Sequence, residues 1–339
     1  MVTRVVHNSP IEASLLPTFI RLAKNLVAAT FGFMKLIPAT FILEQAEKDE
    51  RLKAGKIIET TSGPFGLALA IVAAQRNYSL TLLCPKGVDP AILEQMANLG
   101  AKVEVLLDQQ ECIDQIQARR SKDRELFWPS QYHNPQNSGS YAGVAEAILE
   151  AMGNVDCLIG AVGSGGSLCG TGKYLRLVGQ DLRVVAVDAM GSVLFGKSSV
   201  PGRLPGMGNG VMPTTLEHRM VDEVHWVTSS EALCAARRLH KFHGMCMGTS
   251  SGAAFLASSW WASKNPDKTA VVFFPDHSSR LFTSLFCKET LQAADLWLDE
   301  LPSEPKEISH PREESNRWSR LEWARRSLNS WELAREASE

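Results

Sequence analysis

The sequence predicts an α/β fold built on doubly wound, parallel-type sheets flanked by helices. Apolar segments of strand length alternate with helical segments at short, regular intervals, which is typical of a parallel sheet. In addition, two predicted strands run into turns of glycine and small residues that open apolar helices, at residues 60–66 and 163–167. Ligands of such sheets bind at the carboxyl ends of the strands, where both turns fall.

Composition and charge narrow the class of protein. The 339 residues are 45% hydrophobic and 21% charged, enough for a large core and two domains. A net charge of −2 predicts no nucleic-acid partner and, with no long apolar run or signal pattern, a cytoplasmic protein without a membrane contact. Seven dispersed cysteines without a C-x-x-C motif indicate reduced thiols. The eight histidines show no ligand spacing, so no metal site is predicted.

The first glycine loop, residues 60–66, follows the apolar strand end Ile57–Thr60. Thr61, Ser62 and Gly63 offer hydroxyls and backbone N–H groups at the start of a helix that is apolar on every face. The helix dipole favours an anion at that position. These residues predict a site for a carboxylate or a phosphate, and an ordinary capped helix start is an equal alternative.

The second glycine loop, residues 163–167, lies between a strand predicted at 156–162 and a helix predicted over Leu168–Leu177. Its residues are Gly163, Ser164, Gly165, Gly166 and Ser167. Glycines permit positive φ, so consecutive N–H groups can converge on one oxyanion. Two loops of this kind in one chain predict a phosphorylated cofactor together with a carboxylate substrate.

Lys35 stands at the head of a helix predicted over Pro38–Glu47, among apolar neighbours. Its position alone favours a lysine that extends to solvent from a partly buried helix start. The alternative is a desolvated amine with a lowered pKa, which suits a Schiff base.

The remaining segments complete the alternation. Predicted strands are Thr18–Leu22, Ser79–Cys84, Lys102–Leu107, Leu182–Asp188, Val221–Val227 and Ala270–Phe274, and predicted helices are Pro90–Leu99, Glu111–Arg120, Ala142–Met152, one from Ser229, and Ala253–Trp261. Gln131 falls in an irregular stretch, as either a surface amide or a donor to the substrate. Residues 300–339 are charged and hold three tryptophans, and we expect a linker and an amphipathic helix that packs on the body or on a dimer mate.

Taken in order, these pieces resemble the fold-type II pyridoxal-phosphate enzymes, the cysteine synthase and cystathionine β-synthase family. Thr60-Thr61-Ser62-Gly63 is similar to the family's substrate loop, and 163–167 to its phosphate loop. Supporting marks are Gly206-Met207-Gly208, the run 248–254 and Pro275-Asp276. The resemblance implies two sheets with the cofactor in a cleft between domains. It divides the chain into a larger cofactor-binding domain at 1–35 and 139–299, a smaller mobile domain at 36–138, and a helical C-terminal extension at 300–339. It also implies a homodimer.

The resemblance assigns roles to individual residues. The Lys-x-x-Pro-Ala spacing makes Lys35 the lysine that holds pyridoxal 5'-phosphate and the base that removes the α-proton. The implied cofactor-binding residues are Lys35, Pro64, Gly163, Ser164, Gly165, Gly166, Ser167, His277 and Ser278. The implied substrate-binding residues are Thr61, Ser62, Gly63, Gln131 and Gly206.

Within the family, Val187–Gly196 followed by Leu204–Gly208 is most similar to the 2,3-diaminopropionate branch, the N-(2-amino-2-carboxyethyl)-L-glutamate synthase-like enzymes. This implies β-replacement on an O-activated L-serine through an aminoacrylate, with an amino-acid amine as nucleophile. The product would be a precursor of a secondary metabolite or metallophore. Two alternatives stay open, a cysteine synthase-like transferase that uses sulfur and a catalytically degenerate scaffold. The scaffold is motivated by Pro64, which replaces a cofactor-contacting asparagine, and by Leu36 and Ile37 after the lysine.

Overall fold

The computed structural model describes residues 6–199, 206–276 and 285–331. The strands are β1 Thr18–Ala23, β2 Leu26–Thr30, β3 Lys56–Thr60, β4 Ser79–Pro85, β5 Lys102–Leu106, β6 Cys157–Ala161, β7 Arg183–Ala189, β8 Glu223–Val227, β9 Ala270–Phe274, β10 Lys306–Glu307 and β11 Ser319–Glu322. The helices are α1 Leu36–Lys48, α2 Pro64–Gln75, α3 Pro90–Asn98, α4 Gln109–Lys122, α5 Gln136–Gly139, α6 Ala142–Met152, α7 Gly166–Val178, α8 Ser229–His243, α9 Thr249–Lys264 and α10 Lys288–Ala293.

The smaller of two compact units contains residues 6–15 and Phe33–Ser140. Its sheet is parallel, in the order β3-β4-β5. Helix α2 is apolar all round, and eight of its twelve residues are buried, as expected for a helix packed inside a domain. Together with α1 and β3 it forms one apolar core, to which Ile11 also belongs.

The larger unit contains Leu16–Gly32 and the described residues from Tyr141 onward. Its eight strands follow the order β1-β2-β9-β6-β7-β8-β11-β10. The five from β2 to β8 are parallel, and β1 and β11 pair antiparallel at either side of them. Because both faces of the parallel strands are covered, they are mostly apolar, and every residue of β2, β8 and β9 is buried, including Glu223 and His225 of β8.

These sheets and helices confirm the predicted α/β class. The sequence-based strand over Ala270–Phe274 and helix over Ala142–Met152 match residue for residue, and most other predicted bounds differ by one to three residues. Helix α9 begins four residues before its predicted start, at Thr249. Among the described residues, no helix is both long and apolar enough to span a bilayer.

The compact units differ from the predicted domains at their borders. Residues 6–15 and Lys35 belong to the smaller unit, whereas the sequence assigned 1–35 to the larger domain. The reason is packing: Ile11 enters the core of the smaller unit, and Lys35 is the residue that opens α1. Residues 16–32, by contrast, form the β1–β2 hairpin of the large sheet, as the prediction implied.

The predicted helical extension at 300–339 is wrong over residues 306–322. This segment forms β10 and β11 and extends the large sheet, with β11 antiparallel to β8. A buried polar network ties the two strands, in which Glu223 of β8 is paired with Arg320 of β11 and with Arg183 of β7. The indole N–H of Trp318 donates to Nδ1 of His225 at 2.9 Å, so the ring proton lies on Nε2, which contacts Glu223 at 2.6 Å.

Candidate functional site

The first glycine loop, residues 60–66, leaves the carboxyl end of β3 and opens α2, as predicted. Its hinge is Gly63, whose φ of 138° is open to glycine alone. Pro64 is the first residue of the helix, where a missing N–H costs nothing because that N–H has no partner inside the helix. Thr61 is buried and Ser62 is exposed.

The hydroxyl of Thr61 is a directed donor. Its Oγ1 accepts hydrogen bonds from the N–H groups of Gly63 at 3.0 Å and Gly66 at 2.9 Å. A threonine oxygen has two acceptor positions and one proton. Both acceptor positions are therefore filled, and the O–H proton, which no described residue accepts, remains for an anion.

Two backbone groups extend this donor set. The N–H groups of Ser62 and Phe65 have no acceptor among the residues that the structure describes. Both lie at the N-terminus of the twelve-residue α2, where the helix dipole adds a partial positive charge. One hydroxyl and two N–H groups at this helix end are thus available to an anion such as a carboxylate.

Gly66 makes this arrangement possible and was not among the predicted site residues. A Cβ at position 66 would lie 2.3 Å from Cγ2 and 2.9 Å from Oγ1 of Thr61. Only glycine lets the helix approach closely enough for the bond from its N–H to Thr61.

Gln131 is connected to this loop through a buried carboxylate that sequence reasoning missed. The backbone N–H of Gln131 donates to Oε2 of Glu59 at 3.4 Å, and Glu59 precedes the loop on β3. Burial raises the pKa of Glu59 to about 7, against hydrogen bonds that lower it. A charged residue directly after Ile57 and Ile58, at a strand position where burial was expected, was the available signal.

Lys35 immediately precedes α1 and is half-buried, between the buried side chains of Met34 and Leu36. Its backbone has helical angles, with φ −67° and ψ −13°. Lys35 belongs to the smaller unit, as do Thr61, Ser62, Gly63, Pro64 and Gln131.

The second glycine loop leaves the carboxyl end of β6 and opens the thirteen-residue α7 in the larger unit. The helix begins at Gly166, so the N–H groups of its first turn have no acceptor inside the helix. A Cβ at Gly163 would meet no atom of the described residues within 4 Å, so that part of the chain leaves space beside the loop there. Backbone donors beside open space at a helix N-terminus suit a phosphate.

Packing behind the loop fixes its shape. Gly165 has φ +81°, and a Cβ there would lie 2.6 Å from Cα of Leu216. The neighbouring Thr215 hydroxyl donates to the carbonyl of Ser164 at 2.6 Å. The segment around Leu216 therefore braces the side of the loop that faces the protein.

Gly206 lies elsewhere in the larger unit, beside the N-terminus of α9. Its Cβ position would be 3.6 Å from Oγ of Ser250, and its φ is +100°. Asp276, just after β9, approaches the same helix end, with Oδ1 3.1 Å from a Cβ built on Gly248. The predicted cofactor residues His277 and Ser278 lie outside the described residues.

Comparisons with known proteins agree with this geometry. The family model described as pyridoxal-phosphate dependent enzyme matches residues 22–276. The chain is similar to O-acetyl serine sulfhydrylase isoform 3 from Entamoeba histolytica, with a TM-score of 0.77, 27% identity, and coverage of 88% of this chain and 98% of that one.

Two other solved structures share the fold at lower identity. An O-acetylserine dependent cystathionine beta-synthase from Helicobacter pylori has a TM-score of 0.76 and 24% identity, covering 83% of this chain and 99% of that one. An O-ureido-L-serine synthase has a TM-score of 0.76 and 24% identity, covering 84% of this chain and 96% of that one.

Proposed function

Because the chain belongs to the family of pyridoxal-phosphate dependent enzymes, we propose that it catalyses β-replacement on an O-activated L-serine, with an amino-acid amine as nucleophile. The observation that carries the proposal is the pair of glycine loops, each at the carboxyl end of a parallel strand and at the start of a helix. One suits a substrate carboxylate and the other a cofactor phosphate.

The second glycine loop, residues 163–167, fits the phosphate of the cofactor. Its donors are backbone N–H groups at a helix N-terminus, and the space beside Gly163 is open. Lys35 would supply the primary amine that holds the cofactor at its aldehyde carbon. When bound, the cofactor supplies an electron sink for bond breaking at the substrate's Cα.

The chain's own residues bind the substrate and move its proton. The Thr61 hydroxyl and the N–H groups of Ser62 and Phe65 hold the carboxylate, and the Gln131 amide completes this set. Holding the carboxylate fixes the direction of the Cα–H bond. Once the substrate's own amine has taken its place, Nζ of Lys35 would be available to take the α-proton as the activated oxygen leaves Cβ. The incoming amine then forms the C–N bond at Cβ, and Nζ returns a proton to Cα.

The choice of an amine rests on the segments that resemble the 2,3-diaminopropionate branch. In the structure Asn209, which directly follows the second segment, is hydrogen-bonded to the first segment. Ser192 Oγ accepts from Asn209 N–H at 3.0 Å, and Val193 N–H donates to the Asn209 carbonyl at 3.0 Å. Gly208 packs against Ala189, where a Cβ would be 2.9 Å from that of alanine. The described end of the second segment therefore packs against the first, and the resemblance of both segments to that branch is the basis for an amine nucleophile.

Other features implied by the resemblance remain predictions. These are homodimer formation, closure of a mobile smaller domain over the substrate, and the roles of His277 and Ser278 beside the cofactor ring.

The test begins with the visible absorption spectrum of the purified protein. The wild-type protein should show a cofactor band that Lys35→Ala abolishes. Lys48→Ala is the matched control, because Lys48 is exposed at the opposite end of the same helix. If the wild-type protein shows no band even after pyridoxal phosphate is added, the enzyme proposal fails and a degenerate scaffold is favoured.

The nucleophile is tested next with O-acetyl-L-serine or O-phospho-L-serine as the donor. L-Glutamate and other amino acids are offered in parallel with sulfide, and products are identified by mass spectrometry. We expect a C–N product. The second candidate, a sulfur-using synthase, is favoured by the 27% identity to an O-acetyl serine sulfhydrylase. Cysteine as the only product would establish it and refute the amine.

A further inference from the structure

Glu59 is a buried carboxylate at the end of β3 to which the proposed chemistry assigns no role. Its side chain is 1% exposed. Oε1 accepts hydrogen bonds from the Thr60 N–H and from the indole N–H of Trp128, both at 2.8 Å. Oε2 accepts from the N–H of Gln131 at 3.4 Å. One side chain therefore joins the start of the first glycine loop to the segment that holds Gln131.

The segment around Gln131 depends on this attachment. Ser130 has φ +53°, a left-handed backbone that a serine adopts at an energetic cost. The Ser130 carbonyl accepts from the N–H groups of His133 and Asn134, both at 2.9 Å. Asn137 Nδ2 donates to the Gln131 carbonyl at 2.6 Å. Gln131 is thus held on its carbonyl side by Asn137 and on its N–H side by Glu59.

We propose that Glu59 is a positioning residue, whose carboxylate holds the first glycine loop and Gln131 in the one arrangement that binds the substrate carboxylate. This rests on the proposed function, which assigns that carboxylate to Thr61, Ser62 and Gln131. Glu59 acts through its neighbours and does not contact the substrate.

The protonation state of Glu59 decides whether this arrangement is complete. The groups that donate to Glu59 are all N–H groups, those of Thr60, Trp128 and Gln131 together with the backbone of Ser130, and an ionised carboxylate accepts such bonds more strongly than a protonated acid. Protonation of Oε2 would weaken its bond from the N–H of Gln131 most, because at 3.4 Å that bond is already longer than the 2.8 Å bonds to Oε1. Since burial raises the pKa of Glu59 to about 7, substrate binding should weaken as the pH falls through that value.

The other titratable groups near β3 are two thiols, a cluster of charged side chains and His133. Burial raises the pKa of the thiols of Cys112 on α4 and of Cys84 on β4, the latter to about 12, so both stay neutral near pH 7. Lys56, Asp123 and Glu125 pair at the opposite end of the strand. His133 is exposed on the same segment as Gln131, so a His133→Gln variant is included as a control.

Glu59→Gln is the decisive variant because it mimics the protonated acid. The glutamine oxygen can still accept from Thr60 and Trp128, while its NH2 group faces the N–H of Gln131. The visible cofactor band should be unchanged, and KM for O-acetyl-L-serine should rise about tenfold at pH 8 with little change in kcat. Glu94→Gln removes an exposed charge in the same unit and should leave KM unchanged.

The pH profile separates positioning from a general structural effect. In the wild-type protein KM should rise about tenfold between pH 8 and pH 6, and in Glu59→Gln it should be high and flat. Trp128→Phe keeps Glu59 but removes a hydrogen bond that lowers its pKa, so the midpoint of the profile should move to higher pH. This second variant keeps the proposal testable if Glu59→Gln does not fold.

The cofactor-free protein gives an independent readout. A buried acid whose folded pKa lies above its unfolded value contributes stability below the unfolded value and loses it as the pH rises through the folded one. The wild-type melting temperature should therefore fall as the pH rises through about 7, and that of Glu59→Gln should not. An unchanged KM in Glu59→Gln with an intact cofactor band would overturn the Glu59 proposal alone. An absent band in the wild-type protein would overturn it together with the proposed function.

Discussion

Replacing Gly165 by alanine should disable the second glycine loop, residues 163–167. With φ +81°, an alanine there costs about 1–2 kcal/mol of backbone energy. Its Cβ would also lie 2.6 Å from Cα of Leu216, so backbone must move, and overpacking of this kind costs about 1–3 kcal/mol. Together the two effects should lower the free energy of unfolding of the larger unit by about 2–5 kcal/mol.

Two alanine variants serve as controls for the same helix and loop. Gly179 ends α7 with φ −122°, and its Cβ would meet nothing closer than 3.9 Å, so Gly179→Ala should cost less than about 1 kcal/mol. Gly163→Ala adds a methyl group in open space and should also fold normally. Urea unfolding followed by circular dichroism measures stability in the cofactor-free proteins.

The effect on the cofactor is measured by titrating each cofactor-free variant with pyridoxal phosphate. Moving Leu216 would strain the Thr215–Ser164 hydrogen bond and displace the loop's N–H groups, so Gly165→Ala should raise the Kd at least about tenfold over Gly179→Ala. If Gly165→Ala matches Gly179→Ala in both stability and affinity, the inference that packing behind the loop shapes the phosphate site is refuted.

Two further predictions concern other close contacts. Gly66→Ala would place a Cβ 2.3 Å from Thr61 Cγ2 and should raise KM for the amino-acid substrate about 10- to 100-fold without loss of the cofactor band, measured beside Gly143→Ala, whose Cβ meets nothing closer than 3.9 Å. Trp318→Phe removes the donor to Nδ1 of His225 and should lower the free energy of unfolding of the larger unit, measured in urea, by about 1–2 kcal/mol. The control Trp297→Phe loses a bond to the exposed Asp299 and should cost no more than about 0.5 kcal/mol. Equal losses would contradict the assignment of a buried His225–Glu223 pair.

The C-terminal segment illustrates where sequence patterns misled. Three tryptophans among charged residues suggested an amphipathic helix. In the structure, Ser319 and Leu321 face the interior from β11 while Arg320 reaches the Glu223 carboxylate, so the pattern is the alternation of a strand with one buried face. Four residues are too few for periodicity to separate a strand from a helix, and the pairing partner, β8, lies about ninety residues away in the chain.

The position of Lys35 shows that the sequence did not predict the domain borders. Its identity as a candidate followed from the Lys-x-x-Pro-Ala spacing, and it does open α1 as expected. The sequence assigned it to the larger domain, but it belongs to the compact unit that contains α1 and α2. Domain borders depend on which core a segment enters, and Ile11 entering the core of the smaller unit is a contact between residues far apart in sequence.

Local chemistry determined much of this protein in advance. Strand and helix bounds, the two glycine loops and the capping of α8 by Thr228 and Glu231 all follow from residues within one turn of each other. Tertiary structure alone decided which polar groups are hydrogen-bonded within the protein and which remain available to a ligand. Thr61 has only its O–H proton left to offer a ligand because the N–H of Gly66 comes close enough to donate to its oxygen. Glu59 accepts hydrogen bonds from both Trp128 and Gln131 because these residues fold back onto β3. Hydrogen-bond capacity belongs to single residues, but its allocation depends on distances that only the folded chain sets.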